Sequence, residues 1–418
     1  MKNFEELENL IKTNPDWRNV IKPVMKSIYP VEGKNWTVLM YNLFDTAASA
    51  NEDPLFKVAC ESRGTVVDNT TGEIVCAPFT KFWNYGEGHA SEIDWASAWY
   101  SHKRDGWIYK AFKKDGIVYW MSNGRVATKN DPGAPVDFIP GLPRLNNMSD
   151  VLNRALKVSA SEPCEAYYNG IYFVSDSDWC KRIPEGATVM FELESPWNKI
   201  HTDIVKDAKL WLIGFRMPSG DELTFWDAKE RFGIPFETPE VYNFKDDKDM
   251  LKTVANWTAA DNGEGLVVCD KYFNRVKIKC ADYIRLKFES KGEEFGDNRL
   301  FRYYLANEVD DLCAANENVK SRVDDMCVNV RKFEAFLEGK KGKVMDILEE
   351  YPNKKDFVMF VNKEYDKADA SLLVRLYDRD VSEVKEMFFK KWLTDRVGYR
   401  EMLHMMGMRL TDGNEIDE

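Results

Sequence analysis

Lys-x-Asp-Gly occurs twice within a few residues, as Lys103-Arg104-Asp105-Gly106 and as Lys113-Lys114-Asp115-Gly116. A lysine fixed two residues before an Asp-Gly turn can serve as a nucleophile that carries a nucleotide. It can equally be an ordinary charge beside a hairpin. The second copy lies between the β-like runs "KAF" and "IVYW", so Asp115-Gly116 reads as a hairpin turn. Lys113 would then sit at an exposed turn, where an ammonium keeps its proton and is a poor nucleophile. The first copy precedes the run "WIYKAF", and Lys103 is expected at the mouth of that strand, opening the hairpin.

A lysine nucleophile must lose its proton near neutral pH, and nearby positive charge helps it do so. "RVKIK" supplies such charge, because Lys277 and Lys279 are two apart and share a face of a strand. "NGEGLVV" places Glu264 at the start of another strand, where a carboxylate can polarise an amine or hold a divalent metal. "MFELESPWNKI" puts Glu192 and Glu194 on one strand face and then breaks it with Ser-Pro. Each of these acids and lysines alone also fits a solvated strand edge.

The elements that must position these groups fall into two parts. The chain has 418 residues, 44% apolar and 31% charged, which describes a globular protein of two or three domains. Up to about residue 290, β-rich runs such as "WTVLMY", "RGTVVD", "ATVMFELE", "KLWLIGF" and "EGLVVCD" alternate with turn clusters. Helices are expected in "MSDVLNRALKV", "FWDAKERFG" and "DKDMLKTVANW". After about residue 295 the text turns helical: residues 301–418 hold one proline, Pro352, and apolar residues at helical spacing in "VDDMCVNVRKFEAFLEG", "KVMDILEEY" and "VSEVKEMFFKKWLTDRV". We therefore expect an α+β fold with two domains, 1–292 and an all-helical 293–418.

The net charge of −12 argues against a general nucleic-acid binder, yet the charge is uneven. Residues 101–129 hold seven Lys/Arg against two Asp, and residues 271–292 seven against one Asp and one Glu. Two basic segments on an acidic chain suit a local polyanion site. No run reaches the ~18 apolar residues of a membrane span. The start, "MKNFEELENLIKTNPDW", reads as an acidic amphipathic helix and not a signal peptide. The eight cysteines form no Cys-x-x-Cys pair, so a reducing cytoplasm is expected. His404 in "EMLHMMGM" reads as a core or helix-surface residue.

In order, "KRDG", "FELE", "EGLVV" and "KIK" resemble the pattern of the covalent nucleotidyltransferases: DNA ligases, RNA ligases and mRNA capping enzymes. The finer resemblance is to the phage-type RNA ligase 1 family, carried by "ESRGTVVD", "PFTKFWNYGE", "FELESPWNKI" and "VKIKCADYIRLK". It implies an N-terminal adenylation domain of antiparallel sheets with flanking helices. It identifies Lys103, with Asp105 and Gly106 of its motif, as the adenylated lysine. It implies that Arg63, Lys81 and Tyr41 contact the triphosphate and that Glu192 contacts the ribose. Glu264 becomes the metal-linked acid, and Lys277 and Lys279 the phosphate-binding pair. One departure is "YWMSNGRV", which lacks lysines the family tends to carry there; Arg125 is a candidate substitute.

The resemblance implies ATP and Mg2+, with Mn2+ as an alternative, and a Lys-AMP intermediate. The implied partner is RNA with 5′-phosphate and 3′-hydroxyl ends, such as a nicked tRNA, after an end-healing kinase/phosphatase. A viral source would place the protein in the host cytoplasm. Four rivals stay open: a GTP-dependent guanylyltransferase, a DNA ligase, a non-catalytic RNA-binding protein, and a structural two-domain protein whose motifs are coincidental.

Overall fold

The structure is a computed structural model. It describes residues 2–41, 54–86, 89–198, 205–284, 296–305, 309, 313, 317–392, 395 and 397–408. The chain divides into two compact units, residues 1–290 and 291–418.

The first unit contains three sheets. A four-stranded antiparallel sheet runs Met25–Pro30, Trp36–Tyr41, Arg63–Asp68, Ile74–Cys76 in chain order. Lys2–Thr13 and Pro54–Glu61 pack together, and Phe4, Leu7 and Ile11 share a core with Phe56, Leu39 and Val67. The expected N-terminal helix is thus present, with its apolar stripe turned inward.

In a seven-stranded antiparallel sheet Thr188–Glu194 is an inner strand, between Trp107–Lys114 and Lys209–Arg216. The near-continuous apolar run of "TVMFELE" follows from that inner place. Its residues are buried on both faces except Glu192, which is half-buried. Met148–Ser159 and Phe225–Phe232 pack against Lys209–Arg216. Both helices start where their sequences supply a cap: Asn147 accepts from the Asp150 N–H and Thr224 from the Asp227 N–H. Trp120, Trp179, Phe191 and Phe236 fill the core between sheet and helices.

The third sheet has five strands, in the order Val241–Tyr242, Trp99–Lys103, Gly265–Cys269, Arg275–Lys279, Trp83–Asn84. Its last pairing is parallel, so this sheet departs from the all-antiparallel expectation at one edge.

The second unit is helical in its described residues, as the sequence predicted. "VDDMCVNVRKFEAFLEG" and "KVMDILEE" belong to one helix, Glu317–Glu350, which stops before Tyr351. Its buried Val319, Val323, Met326, Val330, Phe333, Leu337 and Val344 keep one apolar seam. Gly339 and Gly342 do not interrupt it. The break comes at Pro352, after which Asn353 caps Lys354–Glu364. Phe301, Phe333, Phe388 and Trp392 form the aromatic centre of this unit. No helix among the described residues is long and apolar enough to cross a membrane.

Candidate active site

Lys103 does not open the hairpin strand, contrary to the sequence expectation. It is the last residue of Trp99–Lys103, a strand of the five-stranded sheet, while "WIYKAF" belongs to the seven-stranded sheet. Arg104-Asp105-Gly106 carries the chain from one sheet to the other. The short strand "WYSHK" was missed because its serine, histidine and lysine break the apolar alternation.

Strand register then brings the charged groups together. Gly265 pairs with Lys103 on one side and with Lys279 on the other. Glu264, one residue earlier, therefore lies between two lysines. Lys103 Nζ is 2.5 Å from Glu264 Oε2, and Lys279 Nζ donates to Oε1. Burial alone would raise the Glu264 pKa, but the two ammoniums outweigh it and hold the group at about 2. Glycine is required at 265: φ is +145° there, and a Cβ would lie 2.1 Å from the Ile278 carbonyl oxygen.

The Lys-x-Asp-Gly turn is fixed from the seven-stranded sheet. The Asp105 N–H donates to Glu194 Oε1 at 3.3 Å, and Trp211 Nε1–H donates to Glu194 Oε2 at 2.6 Å. Tyr283 Oη–H donates to Asp105 Oδ1 at 2.9 Å. Gly106 passes so close to the sheet that a Cβ would sit 2.3 Å from the Leu193 carbonyl oxygen. Arg104, the variable residue of the motif, lays its guanidinium 3.5 Å from the Trp211 ring centroid.

Glu192 faces the same group of charges. Burial pushes its pKa up to about 8; Lys103 and Arg63 oppose the shift, and Glu264 and Glu194 add to it. Arg63, Lys103 and Glu264 are thus all within electrostatic reach of one carboxyl group. Lys81 and Tyr41 meet each other, with Lys81 Nζ 5.9 Å from the Tyr41 ring centroid and 4.7 Å from that of Trp83. Lys277 shares its strand face with Lys279, and its carbonyl accepts from the Tyr85 N–H at 2.9 Å.

The second copy is a hairpin turn, as expected. Asp115 and Gly116 have φ of +55° and +75°, and they join Trp107–Lys114 to Ile117–Met121. Lys113 is half-buried and not exposed as expected, because its Nζ donates to the Ile183 carbonyl at 3.0 Å; Lys114 pairs with Glu73 at 3.1 Å. Arg125 pairs with Asp131 at 2.8 Å and lies over the Tyr29 ring. His404 is exposed on the helix Gly398–Met405.

Some supporting residues had no signal in the sequence. Glu194 was noted for its position but not for holding the Asp105 amide. Glu61 and Arg216 form a buried ion pair, with Arg216 Nη1 2.7 Å from Glu61 Oε2, and half-buried Thr80 donates to Glu61 Oε1; Glu61 lies two positions before Arg63 and Thr80 one before Lys81. The three are scattered over the chain, and no spacing links them.

A divalent cation would find no ready-made protein cage. No group of three or more His, Cys, Asp or Glu among the described residues could hold one. Glu264 offers one carboxylate already shared by two lysines. That donor set fits a cation that keeps waters and brings phosphate oxygens as its other ligands.

A family model described as RNA ligase matches residues 61–283. The chain belongs to the phage-type RNA ligase family. The matched span opens just before Arg63 and ends on Tyr283, so it holds every predicted site residue except Tyr41. Solved RNA ligase structures of Naegleria gruberi are also similar. One with ATP and Mn gives a TM-score of 0.31 at 10% identity, covering 50% of this chain and 62% of that one. One with PPi gives 0.32 at 10% identity, covering 66% and 83%. At these values no site geometry is carried over from them. No curated protein sequence matches significantly.

Proposed function

We propose that this member of the RNA ligase family is an ATP-dependent RNA ligase with Lys103 as its adenylated nucleophile. The observation that supports this most is the Lys103–Glu264–Lys279 cluster at the join of two sheets, with Glu192 and Arg63 beside it. A lone strand-edge lysine would have neither the partly buried position nor the second cation.

Lys103 Nζ attacks the α-phosphorus of ATP as the neutral amine. An N–P bond forms, the P–O bond to pyrophosphate breaks, and the amine proton is released. Glu264 Oε2 accepts from Lys103 Nζ, and at about 2 this carboxylate is too weak a base to take up the proton the amine gives off. Glu264 would hold a divalent cation, Mg2+ or Mn2+, which when bound would supply positive charge beside the phosphates. Arg63, Lys81, Lys277 and Lys279 bind the polyphosphate, Tyr41 lies beside Lys81, and Glu192 takes the ribose. AMP then passes to an RNA 5′-phosphate, and a 3′-hydroxyl displaces it to seal the strand. Each step is phosphoryl transfer, in which the protein positions groups and stabilises charge. The unit 291–418 would recognise folded RNA such as a nicked tRNA, once a kinase/phosphatase has prepared its ends. A soluble enzyme of the cytoplasm fits this role.

The test is α-labelled ATP with magnesium, followed by denaturation. Wild type and Lys113→Ala should carry label, and Lys103→Ala should carry none. Label from GTP in place of ATP would favour a guanylyltransferase. Discharge of the label by 5′-phosphorylated DNA but not RNA would favour a DNA ligase. No label from either nucleotide, with RNA still bound, would leave the non-catalytic reading.

A further inference from the structure

Among the described residues, Lys110 is the lysine with no exposed surface. It lies on Trp107–Lys114, in the strand that follows the Lys103 motif. Its Nζ donates to the Asn123 carbonyl at 2.7 Å and to the Arg63 carbonyl at 3.0 Å. One amine thus joins the seven-stranded sheet, the segment after the hairpin, and the first residue of Arg63–Asp68. The backbone closes over it at Gly64. There φ is +81°, and a Cβ would lie 2.3 Å from Lys110 Nζ and 1.9 Å from the Asn123 oxygen.

Packing alone gives no reason for this lysine. An apolar side chain would fill the space without the cost of burying an amine. Burial holds its pKa down to about 7, with Cys76 opposing the shift and the Arg63 guanidinium adding to it. The neutral amine has two N–H donors, and two carbonyls receive them. Two polar atoms beside this clamp are buried with no hydrogen-bond partner among the described residues: Arg63 Nε and Asn123 Oδ1. Arg63 is also one of the charges that act on Glu192, alongside Lys103. The clamp therefore ends at a residue whose guanidinium has an unused donor and acts on the same carboxyl group as Lys103 does.

We propose that Lys110 is a positioning residue for nucleotide binding: it fixes the Arg63–Gly64 backbone so that the Arg63 guanidinium is aimed at the polyphosphate of the nucleotide that Lys103 attacks. This inference rests on the ligase reading. It assigns Lys110 no contact with the nucleotide itself.

The test is self-adenylation of the full chain across a range of ATP concentrations, with thermal melts alongside. Lys110→Met removes both donors at similar volume. It leaves the Arg63 and Asn123 carbonyls without this donor, so it should melt somewhat below wild type yet stay folded at assay temperature, and it should need about tenfold more ATP for half-maximal labelling, with a smaller change in the maximal rate. Combined with Arg63→Ala, it should add less than about twofold to the defect of Arg63→Ala alone, because both changes remove one interaction. Unchanged half-saturation in K110M would overturn the inference, and so would a defect that multiplies onto that of R63A. If K110M is recovered unfolded, Lys110→Gln replaces it in the same cycle, since the shorter amide cannot reach both carbonyls. No label on wild type overturns the ligase reading and this inference with it. A labelled wild type with an unaffected K110M overturns this inference alone.

Discussion

Glu264 accepts from two ammoniums while almost wholly buried, so removing its charge strands both lysines. Glu264→Gln should lower stability by about 3–5 kcal/mol and cut labelling by ATP at least a hundredfold. Melting curves and label counts check the two effects separately; a variant that labels normally would remove Glu264 from the mechanism. Glu192 behaves in the opposite sense. Its ordinary pKa of 4.5 applies to the unfolded chain, and the folded value is about 8. Between the two, the native state keeps a proton that the unfolded chain has released, so stability falls as pH rises. Glu192→Gln removes that slope. It should melt about 2–4 °C above wild type at pH 8.5 for each kcal/mol recovered, and equal to it near pH 4.5. A gain of the same size at both pH values would sink this account. These acids were legible as candidates from the sequence, because a glutamate before a glycine strand and a glutamate inside an apolar run are both conspicuous. Their opposite shifts were not legible, since they depend on which charges the sheets bring near.

Strands and helices with an unbroken period were readable, and those that hold the site were read less well. "ATVMFELE" and "KLWLIGF" became strands because apolar residues dominate them, and "RVKIK" because its valine and isoleucine alternate with basic residues. "WYSHK" did not announce itself, although it carries Lys103. Its partners in register, and not its own residues, make it a strand. The helix Pro54–Glu61 was also missed; its last residue enters the buried pair with Arg216 two positions before Arg63. Arg216→Ala should leave Glu61 charged and unpaired, at a cost of about 3–5 kcal/mol. The melting temperature should drop by about 10 °C or more. Glu61→Leu added to Arg216→Met should recover most of that loss, because no charge is then buried alone. A double variant as unstable as Arg216→Ala would mean that the pair itself stabilises the fold.

At the scale of the molecule, each of the two units has its own buried core. The change in composition near residue 295 foretold the helices beyond it, because proline and turn clusters give way to long helical spacing. What the helical unit does was not readable, since a seam of buried apolar residues reports packing and not a ligand. A chain ending after residue 290 should still label itself with ATP, to within about tenfold of the full chain, and should seal nicked tRNA poorly. Undiminished tRNA sealing by that fragment would assign RNA recognition to the first unit. Within that unit, the residues of the site are far apart in order of synthesis. Glu264 follows Lys103 by 161 positions, and Tyr283 follows Asp105 by 178. A ribosome that has released only the first half of the unit exposes the lysine without its carboxylate, its second cation or its tyrosine. If Lys103 is the nucleophile proposed above, the growing polypeptide should be chemically silent toward nucleotides until nearly all of the first unit has emerged, and labelling of stalled chains of increasing length should begin abruptly once residue 283 is clear of the ribosome.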